Sequence, residues 1–191
     1  MRYGSENALT APCGGRPNEQ SCPLDERPME LRPEPVPFRI STLDLTLVYR
    51  EQNASAQVNV EAQTLEDYAA QPEMRYRSLQ VDFELVHEAR CRGGNLHEMR
   101  HGEIVEEAAP ADETAYWQQT GLCPFPSFYR VIDDPGLVAL LAHYDPRGIH
   151  DLQLFILAAH DSYVEVLAKG YRYTLAGNVN EHDTITIVPS D

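Results

Sequence analysis

The stretch LQLFILAAHDSYVEVLAKGYRYTL, residues 152–175, carries the reading that decides the fold. Within it Leu152, Leu154, Ile156 and Ala158 alternate with their neighbours, Tyr163 and Glu165 alternate with Val164 and Val166, and Tyr171, Tyr173 and Leu175 repeat the spacing. Residues two apart share one face of an extended chain, so a period of two marks strands. Asp161-Ser162 and Gly170 supply turn residues, and Ile185 with Ile187 continues the alternation. The final third is therefore predicted to be an antiparallel meander.

The same signal recurs toward the N-terminus. Leu43, Leu45, Leu47 and Tyr49 alternate with Asp44 and Thr46, and Asn53-Ala54-Ser55 offers a loop before Val58, Val60 and Ala62. These two runs are predicted to form a hairpin. Leu79, Val81, Phe83, Leu85 and His87 make the strongest strand signal, which Gly93-Gly94 breaks.

Helix signals lie between these runs. Thr64 with Asp67 resembles a capping arrangement for a short helix through Ala70, which Pro72 ends. Asp112 caps a segment carrying Ala115, Tyr116 and Trp117 that stops at Gly121. Asp134-Pro135 opens a helix to Tyr144 that buries Leu137, Leu140 and Leu141. Runs of strands with two or three short helices predict an α+β fold with a mainly antiparallel sheet. Ahead of it, half of the 14 prolines fall between Pro12 and Pro37, and proline removes donors and forbids helix. Residues 1–37 are expected to be a disordered arm, with Arg32 to Pro37 in extended polyproline-like chain, and residues 38–191 a single domain.

Charge bounds the function. Lys and Arg total 15 against 30 Asp and Glu, a formal charge of -15. That balance argues against nucleic-acid phosphate or an anionic membrane as a direct partner and favours a basic protein. Tyr3, Gly4, Ser5 and Glu6 follow Met1 and Arg2 with no apolar signal region, so a cytoplasmic location is expected. The most apolar run, Leu154 to Ala159, is far shorter than the roughly 20 residues a membrane helix needs. Cys13, Cys22, Cys91 and Cys123 are then expected to be free thiols, with Cys123 in a loop or buried.

One literal catalytic pattern is present. His97-Glu98-Met99-Arg100-His101 matches HExxH, in which helical spacing sets two imidazoles on one face for zinc and the glutamate acts as general base. Its surroundings argue against a helix, since Arg92-Gly93-Gly94-Asn95 precedes it and Gly102 follows. His87-Glu88-Ala89-Arg90-Cys91 echoes the pattern, so the two segments are read as strands of one hairpin with cross-strand charge pairs. No cofactor is favoured, and zinc on His97 and His101 with Glu98 as base is the alternative. Carboxylates gather at Glu103, Glu106, Glu107, Asp112 and Glu113, next to Trp117, an aromatic suited to an interface. These six are the expected partner-binding residues.

The favoured function is a non-catalytic acidic protein that binds a basic macromolecular partner, a physical character shared by small immunity proteins and inhibitors. A zinc-dependent hydrolase and a scaffold or assembly subunit tethered by the arm are the alternatives.

Overall fold

The computed structural model describes residues 28–40, 45–70, 76–100, 104–106 and 110–176, together with the backbone of 182–187. The arm before residue 28, Leu43 and Asp44 of the first hairpin, and Pro72 lie outside the described residues.

The fold is α+β with two sheets of six strands, almost all antiparallel. The strands are β1 (Met29–Pro33), β2 (Phe38–Ile40), β3 (Thr46–Arg50), β4 (Ser55–Thr64), β5 (Arg77–Glu84), β6 (Glu88–Gly93), β7 (Ile104–Glu106), β8 (Phe128–Asp133), β9 (Gln153–Ala158), β10 (Ser162–Ala168), β11 (Gly170–Ala176) and β12 (His182–Ile187). The helices are α1 (Leu65–Ala70), α2 (Leu96–Met99), α3 (Glu113–Thr120) and α4 (Pro135–Tyr144). The first sheet runs β6-β10-β9-β8-β1-β7, with β7 parallel to β1. The second runs β12-β11-β5-β4-β2, with β3 also on β4. The expected hairpin is present, pairing Thr46 with Asn59 through Arg50 with Ser55.

Two features depart from the sequence reading. Gly170 does not reverse the chain. Ala168 pairs with Gln153 in the first sheet and Gly170 with Glu84 in the second, while the Lys169 N–H donates to the Glu84 carbonyl at 3.1 Å. β10 and β11 are therefore one bent ribbon passing between sheets. Its neighbour bends alongside it: Leu85 adopts a left-handed φ of 51° that ends β5 at Glu84, and the His87 N–H then bonds Leu167. Leu85 and His87 thus leave the face shared by Leu79, Val81 and Phe83.

The second departure is at the start. Met29–Pro33 forms a strand between β7 and β8, with Leu31 fully buried, so the fold begins before Phe38. Prolines and the intervening polar residues conceal this strand, which buries Met29 and Leu31 and is followed at once by the buried Glu34 and Val36. From there the chain crosses to β2, and the hydrogen-bonded order closes on itself through β9, β8, β1–β2, β4, β5–β6 and β10–β11. The two sheets are the walls of a flattened barrel.

Burial follows the alternation. Val58, Val60, Leu79, Val81, Val164 and Val166 point between the sheets, around the rings of Phe83, Phe128, Phe155 and Tyr171, whose centroids lie 4.7 to 6.3 Å apart. Edge-on and tilted aromatic pairs at such distances add to simple area burial. A second apolar layer, with Leu31, Val131, Leu154 and Ile156, covers the outer face of the first sheet beneath Leu137 of α4 and Leu96 of α2.

One charge sits inside the barrel. Glu34, 2% exposed, accepts hydrogen bonds from Arg130 Nε at 2.8 Å and from the Tyr171 hydroxyl at 2.7 Å. Burial, and then the Glu34 charge, push the Tyr171 phenol well above its ordinary range, while burial likewise raises Tyr129 and Tyr173.

Two expected outcomes follow. Removing one member of a buried pair strands the other, so Glu34→Ala should destabilise by about 3 kcal/mol. Glu84→Ala, which loses only the exposed pair with Arg172, should cost about 0.5 kcal/mol in the same urea titration. The second outcome concerns pH. The raised phenols ionise later in the folded chain than in the unfolded one, so their contribution is complete below pH about 10 and falls above it. Melting temperature should drop steeply through that range, with tyrosinate absorbance from these residues appearing only on unfolding.

Candidate functional site

α1 and α3 come together at one surface. Thr64 and Asp67 form the expected cap: the Thr64 N–H and hydroxyl donate to Asp67 Oδ2 at 3.1 and 2.7 Å, and the Asp67 N–H donates back to Thr64 Oγ1 at 3.3 Å. Arg77 completes the node with a two-pronged bond to both Asp67 oxygens at 2.6 and 2.9 Å. Burial alone would raise the Asp67 carboxyl, but the bonds from Arg77 and Thr64 outweigh it and hold it below its ordinary value. α3 is capped by Asp112, which accepts the Ala115 N–H at 2.9 Å. It ends at Gly121, whose φ of 72° suits glycine and whose N–H reaches the Trp117 carbonyl at 2.8 Å.

Trp117 does not project from this surface as an interface anchor. It is 6% exposed and stacks beneath Tyr68 of α1, with ring centroids 6.3 Å apart. Its indole closes the gap between two short helices that bury little on their own. The exposed aromatic is Tyr68, over which the Arg39 guanidinium lies 5.5 Å from the ring centroid. A groove of about 50 Å³ runs between Arg39, Tyr68, Glu113, Thr114 and Phe125. Asp112 and Glu113 stand exposed at its edge, and the Glu66 side chain is exposed on α1. The sequence located both helices but held no signal that Tyr68 and Trp117 meet.

The remaining expected residues fall elsewhere. Glu106 lies on β7, where its carboxylate faces His97 Nδ1 at 3.3 Å. Glu103, Glu107 and His101 lie outside the described residues. α2 is a single turn capped by Asn95, whose side chain accepts the N–H groups of His97 and Glu98. It closes at Arg100, a non-helical cap, so His97 and Glu98 sit on a helix that ends before position 101. Among the described residues no group of three His, Cys, Asp or Glu side chains converges in a way that could hold a metal.

The hairpin expected between the two echoing segments is not formed. β6 pairs with β10, from Glu88 with Leu167 to Gly93 with Ser162, and the second segment is helical. Gly94 makes the switch, with φ of 104° and a site where a Cβ would meet Met99 Cγ at 2.8 Å. Cross-strand charge pairing does occur, but to β10: Arg92 Nε donates to Glu165 at 2.9 Å.

No family model, curated protein or solved structure matches this chain.

Its chemistry is therefore read from its own side chains. A second cavity, of about 100 Å³, opens on the outer face of the first sheet. Arg90 and Arg92 from β6, Arg100 after α2, and Glu165 from β10 line it, with Leu140 of α4 on the far wall. Glu88 bonds Arg90, and Arg100 Nη2 lies 3.7 Å from Glu165. The two cavities share no lining residue.

Cys123 is buried beside the first groove, and burial pushes its thiol up to about 11, whereas Cys91 is exposed. A protonated, enclosed thiol is a poor nucleophile. Alkylation of the native protein at about pH 8 should therefore modify Cys91 and spare Cys123 until denaturant is added, as peptide mapping by mass spectrometry would show.

Proposed function

We propose that this is a non-catalytic acidic protein that captures a basic protein partner at the surface formed by α1 and the start of α3. The observation that carries this reading is where the arginines are. Arg77, Arg92 and Arg130 each hold a carboxylate that is itself buried, namely Asp67, Glu165 and Glu34. Cations committed to such pairs cancel locally and do little to neutralise the outer surface. The excess of 30 acidic over 15 basic residues is then expressed in exposed groups such as Asp112 and Glu113, while the exposed Glu66 lies 3.6 Å from Arg77.

A surface of that kind speeds encounter with a positive one through long-range attraction, most strongly at low salt. Tyr68, partly exposed although Arg39 lies over its ring and Trp117 beneath it, adds apolar contact for the stem of a lysine or arginine whose charge meets Glu113. Groups at the groove edge would steer the partner, and the aromatic step would hold it. The same charge argues against nucleic-acid phosphate as a direct ligand. No helix among the described residues is long and apolar enough to cross a membrane.

The test is kinetic. A basic protein captured from the native host should associate at a rate that falls steeply with added salt. Reversal of charge in Glu66→Lys with Glu113→Lys should slow association by roughly tenfold. The control Glu51→Lys, on the turn between β3 and β4, should slow it much less. An association rate indifferent to salt, or an equal effect of the control, would exclude this surface as the interface.

A further inference from the structure

Trp117 supports the fold with its ring, but its indole N–H is left over. The residue is 6% exposed, and among the described residues nothing accepts that N–H. It is not sealed in either. Gln153 Oε1 is the one buried side-chain nitrogen or oxygen without a partner among the described residues, so the indole nitrogen reaches solvent. The opening that the ring meets is the groove of about 50 Å³ beside α1 and α3. A tryptophan so nearly buried ordinarily finds a partner for its N–H, and an open donor at the floor of a groove is a place for an acceptor from another molecule.

The walls are apolar and fixed. Pro124 and Phe125 stand in a loop pinned at both ends: the Cys123 N–H donates to the Val36 carbonyl at 2.8 Å, and the Pro126 carbonyl accepts from the Ile40 N–H at 2.9 Å. The locked φ of two prolines stiffens it further. Tyr68 supplies a second wall, with Trp117 against one face and the Arg39 guanidinium over its ring, so it meets the groove with its edge. Arg39 is itself held, donating to Gln63 Oε1 at 3.2 Å. Among the lining residues Arg39 and Glu113 balance, and the groove proper therefore calls for a neutral group. Beyond that balance, Asp112 adds an exposed negative charge beside Glu113 at the start of α3.

An aromatic slot with one free donor at its floor and carboxylates at its rim defines a ligand that is apolar, accepts a hydrogen bond and carries a positive charge alongside. We propose that the groove takes a proline of the basic partner, in an extended polyproline segment whose neighbouring arginine or lysine meets Glu113 and Asp112. The inference rests on the reading of this surface as the partner's landing site, and it names what lands there. Proline fits for several reasons. A space of about 50 Å³ holds roughly three or four waters, which matches the three methylenes of its ring. A polyproline helix has no internal hydrogen bonds, so its carbonyls are free to accept from the indole N–H. Proline has no backbone N–H to strand against apolar walls, whereas leucine or valine would bring one. Such a segment is stiff before it binds, and little conformational freedom is lost on docking.

Calorimetric titration of the full chain with the peptide Ala-Pro-Pro-Arg-Pro-Ala tests this, beside one peptide with alanine for every proline and another with glutamate for the arginine. The proline peptide is expected to bind saturably and to shift the emission of Trp117, the sole tryptophan of the chain. The alanine and glutamate peptides should each bind roughly fivefold more weakly. Trp117→Phe keeps a ring in the stack but loses the N–H, and should weaken the proline peptide roughly fivefold. Glu113→Gln should weaken it roughly threefold and Glu51→Gln not at all. Circular dichroism melts establish that each variant is folded, and the proline-to-alanine comparison on the unaltered chain decides the matter should Trp117→Phe unfold. Equal binding of the proline and alanine peptides would overturn the proline slot while the acidic landing surface stands. That surface fails separately, through an association rate of the captured basic protein that ignores salt. A peptide of residues 8–23, which holds Arg16-Pro17, represents the rival occupant, and its binding more tightly than the probe would give the groove to the chain's own arm and overturn a separate partner. No binding of the proline peptide, or binding indifferent to a folded Trp117→Phe, would overturn the site.

Discussion

The carboxylate of Glu34 sits where the chain leaves one sheet for the other, 2% exposed, between Arg130 of β8 and the hydroxyl of Tyr171 of β11. Those partners belong to different sheets, and Tyr171 is also the ring on which Phe128 and Phe155 close. A single buried charge thereby fixes the corner that turns two sheets into a closed barrel. The backbone reinforces it, since the Glu34 N–H donates to the Phe128 carbonyl and the Cys123 N–H to that of Val36. Closure matters because an open sheet edge leaves unpaired backbone groups. With β1–β2 held in place, β4 and β8 both have partners, and the outer layer of α4 and Leu96 has a floor to cover.

Charge in this molecule is divided by burial. The carboxylates of Glu34, Asp67 and Glu165 are buried against Arg130, Arg77 and Arg92, while other acidic groups such as Asp112 and Glu113 stand exposed. The half-exposed Tyr68 and the buried Trp117 beneath it show the same economy, since one ring supports the fold and the other meets solvent.

Local elements were legible in the sequence because their causes are local. The caps at Thr64 with Asp67, at Asp112 and at Asp134 involve hydrogen bonds three residues apart, and each lies where the residue types indicate. Alternation identified β4 and β5, which bury every second side chain over most of their length, and also β9 and β10, although both faces of these strands are covered and nearly every residue is buried. It was misleading at Leu85, Gly170 and the echo of His87 in His97. A glycine after a strand reads as a reversal whether the chain turns back or bends into another sheet. Two similar segments do not announce that one is a strand and the other a helical turn.

The sequence by itself determined an α+β chain of mainly antiparallel strands, its three capped helices and its acidity, all of which depend on neighbours or on sums. Tertiary structure alone decided the closed barrel, the strand within the proline-rich stretch and the two cavities. Their defining contacts join residues far apart in the chain: Arg92 to Glu165 across 73 positions, Arg130 to Glu34 across 96 and Tyr171 to Glu34 across 137. No periodicity or spacing encodes such pairs, because which carboxylate an arginine meets is settled by how strands register once the chain is folded.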